Sequence, residues 1–353
     1  MQNNGGSAVS NYEWATHYDP TSAVALHRAG SVYLRTKDYK VAEEAFLKAV
    51  SVDPSFGPAY EELAELSYLG RNGARAVQYF EKYLSLTGNQ EKDQVKYAFY
   101  LFMAKDFTKA NEIFDRLAKQ QNVSAVTLRY YAFSLFEAGA FEQSKSTFDR
   151  YFATAGKQEF EAADYAYYGK LLSKLNQDSL AAESISKSLS MEKNQPELTR
   201  VLAETQYKRK KYPEAIELYK QLMSGQKVLS QDYYSIGRAY YFNNQFEQAD
   251  SSFLKLVELQ PQMTVSFLWE GRTKANLDPE TEKGLAKPYY EKLIELSLQK
   301  PDKSKNELIE AYSYLGYYHF LKGEVPVSKS YWNKVLALNP NDEKAKEAIR
   351  AFK

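Results

Sequence analysis

The sequence predicts an all-α solenoid of stacked antiparallel helix pairs, and two observations carry that expectation. First, a motif of small and aromatic residues returns at a 34-residue spacing. It reads Ala42, Phe46, Ala49, Pro54; then Ala76, Phe80, Tyr83; Ala110, Phe114, Leu117; and Ser144, Phe148, Tyr151. Further on it reads Ala215, Tyr219, Leu222, and then Ala249, Phe253, Leu256, Pro261. Second, each unit splits into two stretches whose apolar residues recur at helical spacing around a short polar turn. One such hairpin cannot bury both of its faces, so stacking on neighbours must supply the core.

The elements follow in chain order. In the first unit, 23–35 sets Leu26, Ala29, Gly30 and Tyr33 on one helical face. Thr36, Lys37 and Asp38 form the turn, and 39–52 sets Ala42, Phe46, Ala49 and Val50 on the face of a second helix. Asp53-Pro54 ends it, because a residue before proline is driven out of helical backbone. Gly30 and Ala42 are expected where the two helices cross, with Phe46 filling the space beside them. The units start at 23, 57, 91, 125, 162, 196, 230, 264 and 309. Three extra residues fall near 156–161, before the fifth unit. The eighth is irregular: 276–284 is long for a turn, and Ala286 and Tyr290 then take the small and aromatic places. A polar stretch, 299–308, precedes the ninth unit.

This pattern resembles the tetratricopeptide repeat family. Leu26, Ala29, Gly30, Tyr33, Ala42, Phe46, Ala49 and Pro54 match its motif in the first unit. Tyr233, Ile236, Gly237, Tyr240, Ala249, Phe253, Leu256 and Pro261 match it in the seventh. The resemblance implies a right-handed α-superhelix. The chain divides into the second helix of an incomplete repeat (1–22), units one to four (23–161), units five to eight (162–308), unit nine (309–340) and a polar capping helix (341–353). Ala8, Tyr12, Ala15 and Pro20 carry the half repeat, which suggests a fragment of a longer repeat protein.

The bulk chemistry argues for binding rather than catalysis. Lys plus Arg is 46 and Asp plus Glu is 45, a balance that does not suit a nucleic-acid binder. Tyr numbers 30, and its ring buries while its hydroxyl stays wet. Cysteine is absent, so neither a thiolate metal site nor a cysteine nucleophile is available. No apolar run spans a membrane, and residues 1–6 lack the basic start and apolar core of a signal peptide. The composition is similar to that of bacterial cell-envelope repeat proteins, which favours that compartment over cytoplasm. His17 is expected in a loop, His319 in packing, and His27 on a first helix. No zinc, nucleotide or triad motif occurs, and no cofactor is expected. The basic run 208–211 reads as a solvated turn.

In the family this chain resembles, first helices line a concave groove that holds extended peptides. Groove positions here are Phe99, Phe102, Arg129, Phe133, Phe136, Lys170, Arg200, Tyr234, Arg238, Tyr241 and Arg272. The family's clamp for a terminal carboxylate is not matched, since Glu61, Glu65, Val95 and Phe99 stand in its places. The aromatics offer apolar area and the cations would meet carboxylates. The reading is a non-catalytic adaptor for a protein or peptide with apolar and acidic residues. Its alternatives are a structural subunit of a larger assembly and the recognition arm of a longer multidomain protein.

Overall fold

A computed structural model describes residues 12, 14, 17–88, 90–156, 160–225, 228–299 and 304–352. Among them every regular element is a helix. The fold is an all-α solenoid of helix hairpins, in two compact units, residues 1–175 and 176–353.

The first unit holds α1 (Ala23–Arg35), α2 (Tyr39–Val52), α3 (Gly57–Leu69), α4 (Gly73–Thr87), α5 (Glu91–Met103), α6 (Phe107–Ala118), α7 (Ala125–Glu137), α8 (Phe141–Thr154) and α9 (Ala162–Lys174). The second holds α10 (Asp178–Met191), α11 (Pro196–Lys208), α12 (Tyr212–Met223), α13 (Ser230–Phe242), α14 (Phe246–Leu259), α15 (Thr264–Leu277), α16 (Lys287–Ser297), α17 (Lys305–Leu321), α18 (Val325–Leu338) and α19 (Glu343–Ala351). Odd-numbered helices up to α17 are the first helices of successive repeats.

Local chemistry sets the helix ends. Ser22, Asp38, Asn72, Asp106, Ser124 and Asp342 each accept a bond from a first-turn backbone N–H. The hairpin turns repeat one geometry. Lys37, Arg71, Lys105, Gly139, Lys210, Asn244 and Gly323 all take left-handed backbone. In each, that residue and the next return N–H groups to the preceding helix, as Lys105 does to Phe102 and Asp106 to Leu101.

The core is the repeated motif itself. Phe46, Phe80, Phe114, Phe148 and Phe253 are fully buried, as are Ala42, Ala76, Ala110, Ala215 and Ala249. A methyl group at Gly30 would lie 2.6 Å from the Phe46 ring, and one at Gly237 would lie 2.7 Å from that of Phe253. So the glycine makes room for the aromatic ring of its own hairpin. Serine replaces alanine in two repeats at no polar cost. Ser144 Oγ donates to the Ala132 carbonyl at 2.8 Å, and Ser328 Oγ to that of Gly316 at 2.7 Å.

Several segments differ from the sequence reading. His17 is helical rather than in a loop, as are Tyr12, Trp14 and Tyr18; Ala8 and Ala15 lie outside the described residues. α17 starts at Lys305, one turn before the first motif position at 309. The long connection after α15 is an ordered loop, because the Asp278 carboxylate accepts from the backbone N–H groups of Lys283, Gly284 and Leu285. Of the extra residues after α8, 157–159 lie outside the described residues; the Phe160 ring packs 5.6 Å from Tyr151 and 5.0 Å from Phe152. α19 follows the last hairpin and buries Ala345 against Trp332 and Val335, with charged residues elsewhere on its surface.

Candidate protein-binding face

On the first unit, first helices carry aromatic rings, three residues apart on α5 and α7, that reach neighbouring repeats. Phe99 of α5 sits 5.1 Å from Tyr68 of α3 and 4.7 Å from Tyr130 of α7. Tyr130 meets Phe133 edge-on at 6.0 Å, and Phe133 stacks on Tyr167 of α9 at 4.1 Å. Phe136 meets Tyr167 at 5.6 Å, and Phe102 lies 6.1 Å from Tyr130. The result is an unbroken file of rings across four repeats. Phe133 is buried at 4 %, whereas Tyr68, Phe99, Phe102, Tyr130, Phe136 and Tyr167 stay half-exposed.

Charges along this file are largely matched within the chain. Arg129 Nε donates to Asp164 Oδ1 and its Nη2 to Glu161 Oε2, both at 2.6 Å. Asp164 is fully buried and also accepts from the Tyr151 hydroxyl and the Glu161 N–H. Lys96 Nζ lies 3.1 Å from Glu61 and 3.5 Å from Glu65, and Tyr100 donates to Glu65 at 2.7 Å. Glu62 titrates above the usual carboxylate range, chiefly through burial and next through the neighbouring Glu61. His27 packs between Phe46 and Phe56, and burial lowers its proton affinity. Lys170 Nζ lies 5.9 Å from the Tyr167 ring.

The second unit repeats the device. Arg200 makes two bonds to Asp232, at 2.7 and 3.0 Å, and one to Glu197 at 3.0 Å. Asp232 is fully buried and accepts the Leu229 N–H. Arg272 makes two bonds to Glu310, at 2.8 and 2.7 Å, and Tyr290 donates to the same carboxylate. These carboxylates raise the proton affinity of both arginines. Arg238 differs. Its guanidinium carbon lies 4.4 Å from the Tyr207 ring, 5.2 Å from Tyr234 and 5.7 Å from Trp269. Its Nη2 donates to the Tyr207 hydroxyl at 2.7 Å. Tyr241 lies 5.4 Å from Trp269 and accepts from Asn276.

The sequence-assigned positions therefore divide. Arg129, Arg200 and Arg272, expected to meet a partner's carboxylates, are paired inside the chain and tie one repeat to the next. Phe133 is a buried ring beneath Arg129. Phe99, Phe102, Phe136, Lys170, Tyr234, Arg238 and Tyr241 keep exposed area. Motif reading missed Tyr130, Tyr167 and Trp269, at the sixth position of their repeats, and Asp164 and Asp232, at the third. The signal was present: an arginine at position five precedes an aspartate at position three of the next repeat.

Among the described residues no group of three or more His, Asp or Glu side chains could hold a metal ion. No described helix is long and apolar enough to cross a membrane.

The family model for the tetratricopeptide repeat matches residues 23–56 and 233–263. The crystal structure of the C-terminal part of a TPR repeat-containing protein from Cytophaga hutchinsonii is 32% identical, with a TM-score of 0.61. That alignment covers 72% of this chain and 98% of the other. Anaphase-promoting complex subunit 6 of Arabidopsis thaliana is 33% identical over 84 residues, which are 24% of this chain and 16% of that protein. The chain thus spans only a small part of that curated relative.

Proposed function

Because the chain belongs to the tetratricopeptide repeat family, we propose that it is a non-catalytic adaptor binding a protein or peptide segment across its first helices. The half-exposed aromatic file from Tyr68 to Phe136 carries this reading. Structural packing alone would bury such rings as it buries Phe133, whereas rings left at the surface offer apolar area to a partner. The partner we favour is an extended segment with apolar anchors and acidic residues. Aromatic rings grip such a segment at little conformational cost, since two torsions fix each one.

Selection of a displayed random peptide library on the immobilised protein tests this. Peptides that enrich should bind in solution and lose at least tenfold in affinity to a Phe99→Ala/Phe136→Ala variant of unchanged helicity. If nothing enriches, or the variant binds equally well, the first-helix reading is wrong.

A subunit role in a larger assembly is favoured by one separate observation. Tyr317, Phe320, Leu321, Val325 and Val327 are all exposed at the tip of the α17–α18 hairpin. Light scattering that finds a monomer at all concentrations, with no partner requiring this tip, would remove that reading.

A further inference from the structure

Four of the candidate groove positions are arginines, and three have a carboxylate of their own: Arg129 with Asp164, Arg200 with Asp232, and Arg272 with Glu310. Arg238 has none within ion-pair distance among the described residues. Its surroundings are aromatic, with Tyr207, Tyr234 and Trp269 all within 6 Å of the guanidinium. Glu204, one repeat earlier, accepts from the Tyr219 hydroxyl instead. Arg238 Nε is buried and meets no acceptor. The Tyr207 hydroxyl takes one Nη2 donor, and the residue as a whole remains partly exposed.

This arrangement fixes the plane of the guanidinium without neutralising it. Rings around a cation orient it through their electron-rich faces but leave its formal charge in place. A planar fork held this way recognises a carboxylate with little further ordering, because the geometry already exists before the anion arrives. The other three arginines show the alternative outcome within the same chain: where a repeat needs an internal tie, the sequence supplies an acid. At position nine of the seventh repeat it supplies three rings and no acid.

We propose that Arg238, within the Tyr207–Tyr234–Trp269 cluster, receives an Asp or Glu side chain of an extended peptide lying on the first helices of the second unit. This rests on the adaptor reading and adds the chemistry of one anchor. Tyr241, beside the same Trp269, would flank the neighbouring residue of that peptide, so an apolar or aromatic neighbour suits it.

The test uses two synthetic peptide libraries, identical except that Asp and Glu in one are Asn and Gln in the other. Both are offered to the full chain at low salt, and retained peptides are quantified. The expected result is at least tenfold preferential retention of acidic peptides by the wild-type chain. Arg238→Gln should abolish that preference, and Arg238→Lys, which keeps the charge without the planar fork, should restore it only in part. Both variants are compared by thermal unfolding. If Gln does not fold, the Lys variant with its weakened preference still decides the matter. Equal retention of both libraries by the wild type overturns the carboxylate anchor and leaves the adaptor reading standing. A preference that survives both substitutions also overturns it, by placing recognition on another cation. Retention of neither library counts against both.

Discussion

Replacing Glu270 with glutamine should stabilise the second unit at neutral pH, by an amount that grows with pH. Glu270 lies on α15 with no exposed surface, facing Asp250 of α14. Lys274 Nζ sits 2.5 Å from Asp250 Oδ1 but 3.6 Å from Glu270 Oε1, so one ammonium serves two acids and serves the aspartate better. Tyr289 of α16 closes the group, with Lys274 Nζ 6.0 Å from its ring. Burial, and then the adjacent Asp250, push the Glu270 carboxyl up to about 9 from an ordinary 4.5. The folded chain therefore holds this proton between those two values, while the unfolded chain has released it. Stability falls as pH rises across that window, at about 1.4 kcal/mol per unit, and levels off above it. At pH 7 the interval is about 2.5 units, which corresponds to about 3 kcal/mol. Glutamine mimics the protonated acid and has no proton to lose. Glu270→Gln should then match wild type near pH 4 and exceed it by about 3 kcal/mol at pH 7. Urea unfolding followed by Trp269 fluorescence reads this locally, in a Trp14→Phe/Trp332→Phe background that leaves Trp269 as the sole tryptophan. A gap that does not change with pH, or a variant less stable than wild type at pH 7, would refute the reasoning.

Three further outcomes follow from the same geometry. Arg129→Ala should destabilise the first unit by about 3 kcal/mol, because Asp164 is left charged and buried, and adding Asp164→Asn should recover part of the loss in chemical unfolding. Gly316→Ala should cost about 1–3 kcal/mol, since the new methyl would lie 2.8 Å from the Trp332 indole; an unchanged melting curve would show that the ring moves aside. Lys105→Gly should stabilise by about 0.5–1 kcal/mol, because Lys105 sits at φ 63 in a turn that favours glycine; a lower midpoint in urea would contradict this.

The fold was legible almost residue by residue. The limits read for the first hairpin, 23–35 and 39–52, are those of α1 and α2, because capping residues and the Asp53-Pro54 stop act locally. Legibility failed at the ninth repeat, where a polar composition masked the first turn of α17. The candidate face was half legible. Position within the repeat correctly selects residues on the first helices, but it does not tell a free arginine from a paired one. Arg272 and Arg238 both stand at position nine of their repeats, yet only Arg272 meets a carboxylate, that of Glu310, 38 positions later.

What the sequence by itself determined is the repeat: its period, its helix pairs, and the glycine or alanine that admits each buried ring. These follow from spacing within 34 residues, where contacts are set by helical geometry. Only the tertiary structure decided which charges are spent. Asp164 reaches Arg129, Asp232 reaches Arg200 and Glu310 reaches Arg272 across repeat boundaries, while Arg238 meets only rings. Charge compensation depends on distance in space and on burial, and neither is a property of a residue's place in its own repeat.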